Sequence, residues 1–587
     1  MLIARLLIVV LVAFVIFDPQ AALAQTQKQP TAVGSGGAAA SVDLDGTRAA
    51  IQALRDGGNA VDAAVAAASV LGVTEPYSCG IGGGGFMVIR TAGGKVTTID
   101  GREESPARMR PDSFWEDGAP LAFNDARFSG MSAGIPGTPA TWDLALRRYG
   151  TWSLARALEP GIRTATDGFK VDSTFVSQTE PNVDWFNDIP STAAIYLDRD
   201  GTPRDEGSTL KNPDLARTYR RMAANGVDWF YNGSVAGAMA GAAQDPPAAP
   251  RANHDWRPGL MKRSDVGNYR AIEREPTHIG YRGLDVWSMG PPTSGGSTVG
   301  EALNILEGYT DLSAADRVRA LHLMLEASRF TFADRNAYLA DPDFFDVPLS
   351  GLLSDSFAAE RRALIDENHA AASPVAPGDP YDNQGDPSRA PHASATISHP
   401  RQSTTHLVVS DSKGNVVSYT FTIESTGGNA IVVPGFGFLM NNELTDFNFD
   451  STMHPNRADA DKRPRSSMSP TIVTKDGEPF IAVGSPGGST IPGTVLQVLF
   501  ERLDLGKTLP QAIASPRATQ RNGGTSTAEP AFADSPEGQA LKARGHAYTS
   551  MSEIGAVTGI EFLGSGQTLA AAEPVRRGGG SAAVVEP

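Results

Sequence analysis

The run Thr404-Thr405-His406-Leu407-Val408-Val409-Ser410-Asp411 constrains the fold most, together with Ser412-Lys413-Gly414-Asn415 and the segment Val416 to Thr422 directly after it. Two segments rich in β-branched residues flank a Gly-Asn turn, which predicts a hairpin with strands over Leu407 to Asp411 and Val416 to Thr422. A polar segment ending in Pro400-Arg401-Gln402-Ser403 precedes it. Two readings of Thr404 are open here. It can be a β-former at a strand edge. It can also be a new N-terminus, if the chain is cut before it. An α-amine titrates near ~7.7–8.0, about two units below side-chain ammonium groups. An N-terminal Thr therefore carries nucleophile and base on one residue.

The chain has 587 residues, 41% hydrophobic and 20% charged, an ordinary globular composition. Its formal net charge of -16 argues against a nucleic-acid partner, which needs a basic patch. Arg5, the apolar run Leu6 to Phe17 and Ala22-Leu23-Ala24 make a secretory signal peptide over residues 1–24. The run is too short for a comfortable membrane span. No other stretch is apolar and long enough to cross a bilayer. The mature protein is therefore expected to be exported, periplasmic or secreted, with no membrane contact after signal removal. Cys79 is the single cysteine. No intramolecular disulfide can form, and Cys79 is expected to be a small buried residue rather than a nucleophile.

Helices are expected over Thr47 to Arg55, over Ala60 to Leu71 behind an Asn59 cap, and over Val299 to Leu306, Ala315 to Leu339 and Thr494 to Leu503. Further hairpins are expected around Gly93-Gly94 and Asp476-Gly477, and a short strand over Ala430 to Val433. Ala371 to Ser398, rich in Pro, Asp, Ala and Ser, reads as a flexible segment, as a cut just upstream of Thr404 needs. Strands and helices interleave without regular βαβ spacing, which indicates an α+β layered fold. The glycine run Gly82 to Gly85 is not a phosphate loop: no Gly-Lys-Ser/Thr comes after it, and it leads into a strand. Its glycines let backbone approach backbone or substrate. Gly487-Gly488, ahead of a helix, presents backbone N–H groups suited to an anion or oxyanion. Arg102, at a strand end, is either solvated or a carboxylate clamp. No His/Cys cluster has zinc spacing, and neither metal nor cofactor is expected.

Many segments, in order, resemble the γ-glutamyltranspeptidase family: Gly58 to Val65, Gly82 to Met87, Gly101-Arg102-Glu103, Pro291 to Gly296, Ala333-Asp334-Arg335, Asn441-Asn442, Arg463 to Pro470 and Gly484 to Ser489, besides Thr404-Thr405-His406. The resemblance implies a four-layer αββα sandwich of the N-terminal-nucleophile hydrolase type. It implies a precursor that cuts itself before Thr404 into a large subunit, 25–403, and a small one, 404–587, which stay together as one fold. It makes Thr404 the nucleophile and Thr422 the threonine whose hydroxyl supports it. Arg102, Ser466 and Ser467 match groups that hold the α-carboxylate of a γ-glutamyl donor. Glu424, Glu443 and Asp446 match groups near its α-ammonium. Gly487 and Gly488 match the oxyanion-hole pair. His406 takes a structural role. The implied partners are a small γ-glutamyl donor such as glutathione and an amine acceptor. Two departures stand out. Glu424 replaces an Asn common in the family, and the Asn448–Asp461 segment is short, which implies a lidless, open site. A glutaryl or cephalosporin acylase on the same scaffold is the first alternative, and a non-catalytic exported binding protein the second.

Overall fold

The computed structural model describes residues 27–386 and 403–585. The signal peptide expected at residues 1–24 lies outside them. Among the described residues, two seven-stranded sheets carry the architecture. The first has the order Ser581–Val584, Ala38–Ser41, Thr405–Ser410, Val416–Thr422, Gly84–Arg90, Val96–Gly101, Ile272–Arg274. The second runs Thr31–Gly34, Gln567–Ala572, Thr558–Gly564, Glu478–Gly484, Thr471–Lys475, Leu284–Ser288, Thr277–Tyr281. Every pairing in both sheets is antiparallel.

The hairpin of Thr405–Ser410 and Val416–Thr422 forms the middle of the first sheet. His406 pairs with Thr420 and Val408 with Ser418 across it, and Gly414 closes the turn at φ 90°. Side chains alternate faces along a strand. Leu407, Val409, Val417, Tyr419 and Phe421 join one core, packed under the helices Leu44–Arg55, Ala60–Thr74 and Thr138–Tyr149. Val408 and Val416 join a second core with Ile472, Val483 and Ile560 of the facing sheet. That core continues under the helices Gly295–Glu307, Arg317–Tyr338 and Ile491–Leu503. The result is helix, sheet, sheet, helix: the four-layer αββα sandwich expected. With both faces covered, each central strand is buried throughout.

Local chemistry explains why the inner helix sits so close. Asn59 caps Ala60–Thr74, with Asp62 returning a bond to the Asn59 N–H. Every residue of that helix is buried, and most are Ala or Val. The glycine run serves the same close approach. A Cβ on Gly82 would lie 1.9 Å from the Leu439 carbonyl oxygen, and one on Gly83 1.8 Å from that of Thr422.

Two expectations change. Ala430 to Val433 is not a strand; it makes only a bridge between Val432 and Leu439. The positive-φ residues Gly427, Gly428, Ala430, Gly435 and Gly437 coil this stretch back on itself. The segment read as flexible from Ala371 is docked as far as it is described. The Ala371, Val375 and Gly378 N–H groups donate to Glu326, Asn522 and Asp334 at 2.9, 2.7 and 2.6 Å, and Tyr381 is buried. Residues 387–402 lie outside the described chain.

Candidate active site

Thr404 precedes the strand Thr405–Ser410, and Thr422 ends the strand beside it, so the two meet at one edge of the gap between the sheets. Both are buried. The Thr404 hydroxyl lies against the carbonyl oxygen of Ser403 and 3.2 Å from the Thr422 hydroxyl. Thr422 Oγ1 in turn donates to the Ser403 carbonyl at 2.8 Å and accepts from the Glu424 N–H at 2.9 Å. The single Thr404 hydroxyl proton can go to the Ser403 carbonyl or to Thr422 Oγ1, while Thr422 donates to Ser403. Thr404 then offers oxygen lone pairs beside a peptide carbonyl that Thr422 polarises.

The joint is held from outside as well. Ser403 N–H donates to the Glu424 carbonyl at 2.8 Å. Ser403 Oγ meets Ser78 Oγ at 2.7 Å. Arg577 donates to that Ser78 hydroxyl at 2.7 Å and to the Thr404 carbonyl at 2.6 Å. Neither Ser78 nor Arg577 stands out in the sequence, because nothing local marks a contact between residues that far apart.

Thr404 and Thr422 share a cleft with Glu424, Glu443, Asp446, Ser466, Ser467 and Gly488. Segments far apart in the chain thus bring eight of the ten residues singled out in the sequence to one wall. The other two sit just behind. Gly487, at φ 135°, and Gly488, at φ 54°, open the short turn Gly488–Thr490 before the helix Ile491–Leu503. Neither N–H has an acceptor among the described residues, which suits an oxyanion. Arg102 is 0% exposed. Its guanidinium donates to the Glu443 carboxylate and to Asp446 at 2.6 Å.

Sequence reasoning missed Arg335 and Arg465, which also line the cleft. Glu424 is buried, bonded to the Ser425 hydroxyl and to Asn442 at 2.5 Å. Burial, aided by the negative charge of Asp446, pushes its carboxyl up to about 7. His406 is no base for Thr404. It lies between the sheets, bonded to Thr420 at 2.7 Å, and burial lowers its pKa to about 3, so the ring is neutral. A Cβ on Gly484 would come within 2.3 Å of that ring. Cys79 is buried, and burial raises its thiol well above the ordinary range.

No metal was expected, yet the fold does gather a buried His322, Glu326 and His546, with potential ligand atoms within 4.8 Å of one another. Spacing rules miss it because His546 is contributed from another part of the chain. The ligand atoms are already engaged. His322 and His546 bond each other at 2.8 Å. Glu326 accepts from Arg329 at 3.0 Å and from the Ala371 N–H at 2.9 Å.

Known proteins share both the sequence and the fold. The family model described as Gamma-glutamyltranspeptidase matches residues 46–584. The glutathione hydrolase proenzyme of Escherichia coli K12 is 37% identical over 504 residues, 82% of this chain and 80% of that one. The acylase ACY 1 proenzyme of Pseudomonas sp. V22 is 34% identical over 568 residues, 94% of each. The crystal structure of a cephalosporin acylase from Bacillus halodurans superposes with a TM-score of 0.82 at 28% identity, covering 98% of this chain and 100% of that one.

Proposed function

Because the chain belongs to the γ-glutamyltranspeptidase family, we propose that it transfers the γ-glutamyl group of glutathione-like amides to water or to an amino acid or peptide amine, after cutting itself before Thr404. It is an autoprocessed two-subunit enzyme acting on small molecules. The observation that carries the finer reading is the Thr404–Thr422–Ser403 hydrogen-bond set in a cleft of mixed charge.

The chemistry runs in two stages. In the precursor the Thr404 hydroxyl oxygen attacks the Ser403 carbonyl carbon, and the peptide nitrogen leaves as the Thr404 α-amine. Water then hydrolyses the resulting ester, leaving a carboxylate on Ser403. In the mature enzyme that α-amine takes the proton of the Thr404 hydroxyl as its oxygen attacks the donor's γ-carbonyl. The Gly487 and Gly488 N–H groups hold the oxyanion. The amine's new proton passes to the departing nitrogen, and a γ-glutamyl ester remains on Thr404. Water or an acceptor amine releases it by the same steps in reverse.

The large subunit would run from 25 to 403 and the small one from 404 to 587. The leader at residues 1–24 supports export, to a periplasm or outside the cell. No helix of the described residues is long and apolar enough to cross a membrane.

Turnover of γ-glutamyl-p-nitroanilide against glutaryl-p-nitroanilide tests the donor class. Preference for the second would favour the acylase reading, which the resemblance to two acylases supports. The pH dependence adds a sharper check. With its carboxyl pushed up to about 7, Glu424 is neutral below that pH and an anion above it. Only the anion attracts the donor's ammonium. The ratio of γ-glutamyl to glutaryl kcat/KM is therefore expected to rise roughly tenfold between pH 6 and 8, since the Thr404 amine acts on both donors and cancels. In Glu424→Gln the ratio should be flat. A flat ratio in the wild type removes Glu424 from ammonium binding.

A further inference from the structure

The cleft wall carries two hydroxyls whose protons are unspent. Ser466 and Ser467 follow Arg465 there, close to Arg102, which donates to the carbonyls of Pro464 at 2.9 Å and Arg465 at 3.1 Å. Ser466 Oγ accepts from the Met468 N–H at 3.2 Å. Ser467 Oγ accepts from Arg335 at 2.6 Å. Among the described residues, neither hydroxyl donates to an acceptor. A hydroxyl has one proton to give. With a lone pair of each oxygen already engaged, that proton is left for a ligand in the cleft. Two such donors near a guanidinium suit a carboxylate.

What arranges them comes from a distant part of the chain. Arg335, on the helix Arg317–Tyr338, is 6% exposed. Its Nε donates to Ser294 Oγ at 2.8 Å, Nη1 to Asn336 Oδ1 at 3.0 Å and Nη2 to Ser467 Oγ at 2.6 Å. Ser294 Oγ donates in turn to the Ser466 carbonyl at 2.7 Å, and the Ser294 N–H bonds the same oxygen at 2.9 Å. The Ser466 N–H returns a bond to the Pro292 carbonyl at 3.0 Å. One guanidinium thus grips both serines, Ser467 directly and Ser466 through Ser294. After a cut before Thr404, Arg335 and Ser294 would lie on one chain and the serines on the other, joined at this corner by noncovalent bonds. A hydroxyl that accepts from a cation is polarised into a stronger donor. All three acceptors of Arg335 are uncharged, and burial, then the charge of Arg465, holds it well below its ordinary range. An anion on the serines offsets the cost of a desolvated cation.

We propose that Arg335 is a positioning residue for donor binding: with Ser294 it fixes Ser466 and Ser467, and by occupying the Ser467 oxygen it frees that hydroxyl's proton for the donor's α-carboxylate. The inference rests on reading the cleft as a γ-glutamyl site in which Arg102, Ser466 and Ser467 receive that carboxylate.

Three anilides and a double-mutant cycle test it. γ-Glutamyl-p-nitroanilide has carboxylate and ammonium, glutaryl-p-nitroanilide lacks the ammonium, and 4-aminobutyryl-p-nitroanilide lacks the carboxylate. Arg335→Gln is expected to lower kcat/KM roughly tenfold for the first two, mainly through KM, and to leave the third unchanged. Ser467→Ala should show the same selectivity. Because Arg335 acts through Ser467, adding Arg335→Gln to Ser467→Ala should cost at most about twofold more. The proposal is overturned if Arg335→Gln affects all three donors alike, or none, or if the two losses multiply in the double variant. Should Arg335→Gln fail to fold, Arg335→Lys decides by the same selectivity and the same cycle, since it keeps the charge but cannot span Ser294 and Ser467. A wild type that ignores γ-glutamyl-p-nitroanilide, or a Ser467→Ala loss that is blind to the carboxylate, would refute the reading of the cleft instead, a separate result.

Discussion

Thr404→Ala is expected to yield a single uncut chain with anilide turnover lowered by roughly 10³-fold or more. One substitution removes two steps. Without the hydroxyl there is no oxygen to attack the Ser403 carbonyl that it lies against, so the α-amine is never freed. Without the α-amine and the hydroxyl together, the cleft has neither nucleophile nor base. Thr404→Ser keeps the oxygen and should still cut and turn over, which separates loss of chemistry from loss of fold. A denaturing gel and an anilide assay read both. Two chains from Thr404→Ala, matching those of the wild type, would place the nucleophile elsewhere.

Thr422→Val carries the second largest effect. The shape is kept and one hydroxyl is lost, the one 2.8 Å from the Ser403 carbonyl oxygen and 3.2 Å from the Thr404 hydroxyl. A donor aimed at the oxygen where charge develops is worth about 10²–10³ in rate. Self-cleavage, followed as loss of precursor on a gel, is expected to slow by about that factor. The change also strips the Glu424 N–H of its acceptor, at 2.9 Å, for about 1–3 kcal/mol of stability. Thr422→Ser supplies the control, since it restores the hydroxyl and should restore the rate. An unchanged cleavage rate in Thr422→Val would show that Ser403 is polarised by another group.

The sequence is most legible where structure is local. The hairpin around Gly414, the Asn59 cap and the turn at Asp476-Gly477 each arise from a few adjacent residues, and the strands and helix appear where those residues put them. Ala430 to Val433 misleads because β-branched residues set a preference that the surrounding positive-φ residues override. Composition misleads at Ala371, where backbone N–H groups are captured by Glu326, Asp334 and Asn522, residues remote in sequence. The candidate site is legible as a set of residue types but not as a set of pairs. Arg102 meets Glu443 across 341 positions, and Arg577 meets Thr404 across 173. No local signal shows which arginines the fold brings to the cleft, so Arg335 and Arg465 did not stand out.

Intact-mass and N-terminal analysis of the purified wild-type protein tests the central chemistry most directly. Two chains are expected, one ending at Ser403 and the other beginning at Thr404 with an unblocked amine. An active protein that is a single continuous chain, or one cut at any other bond, would contradict it.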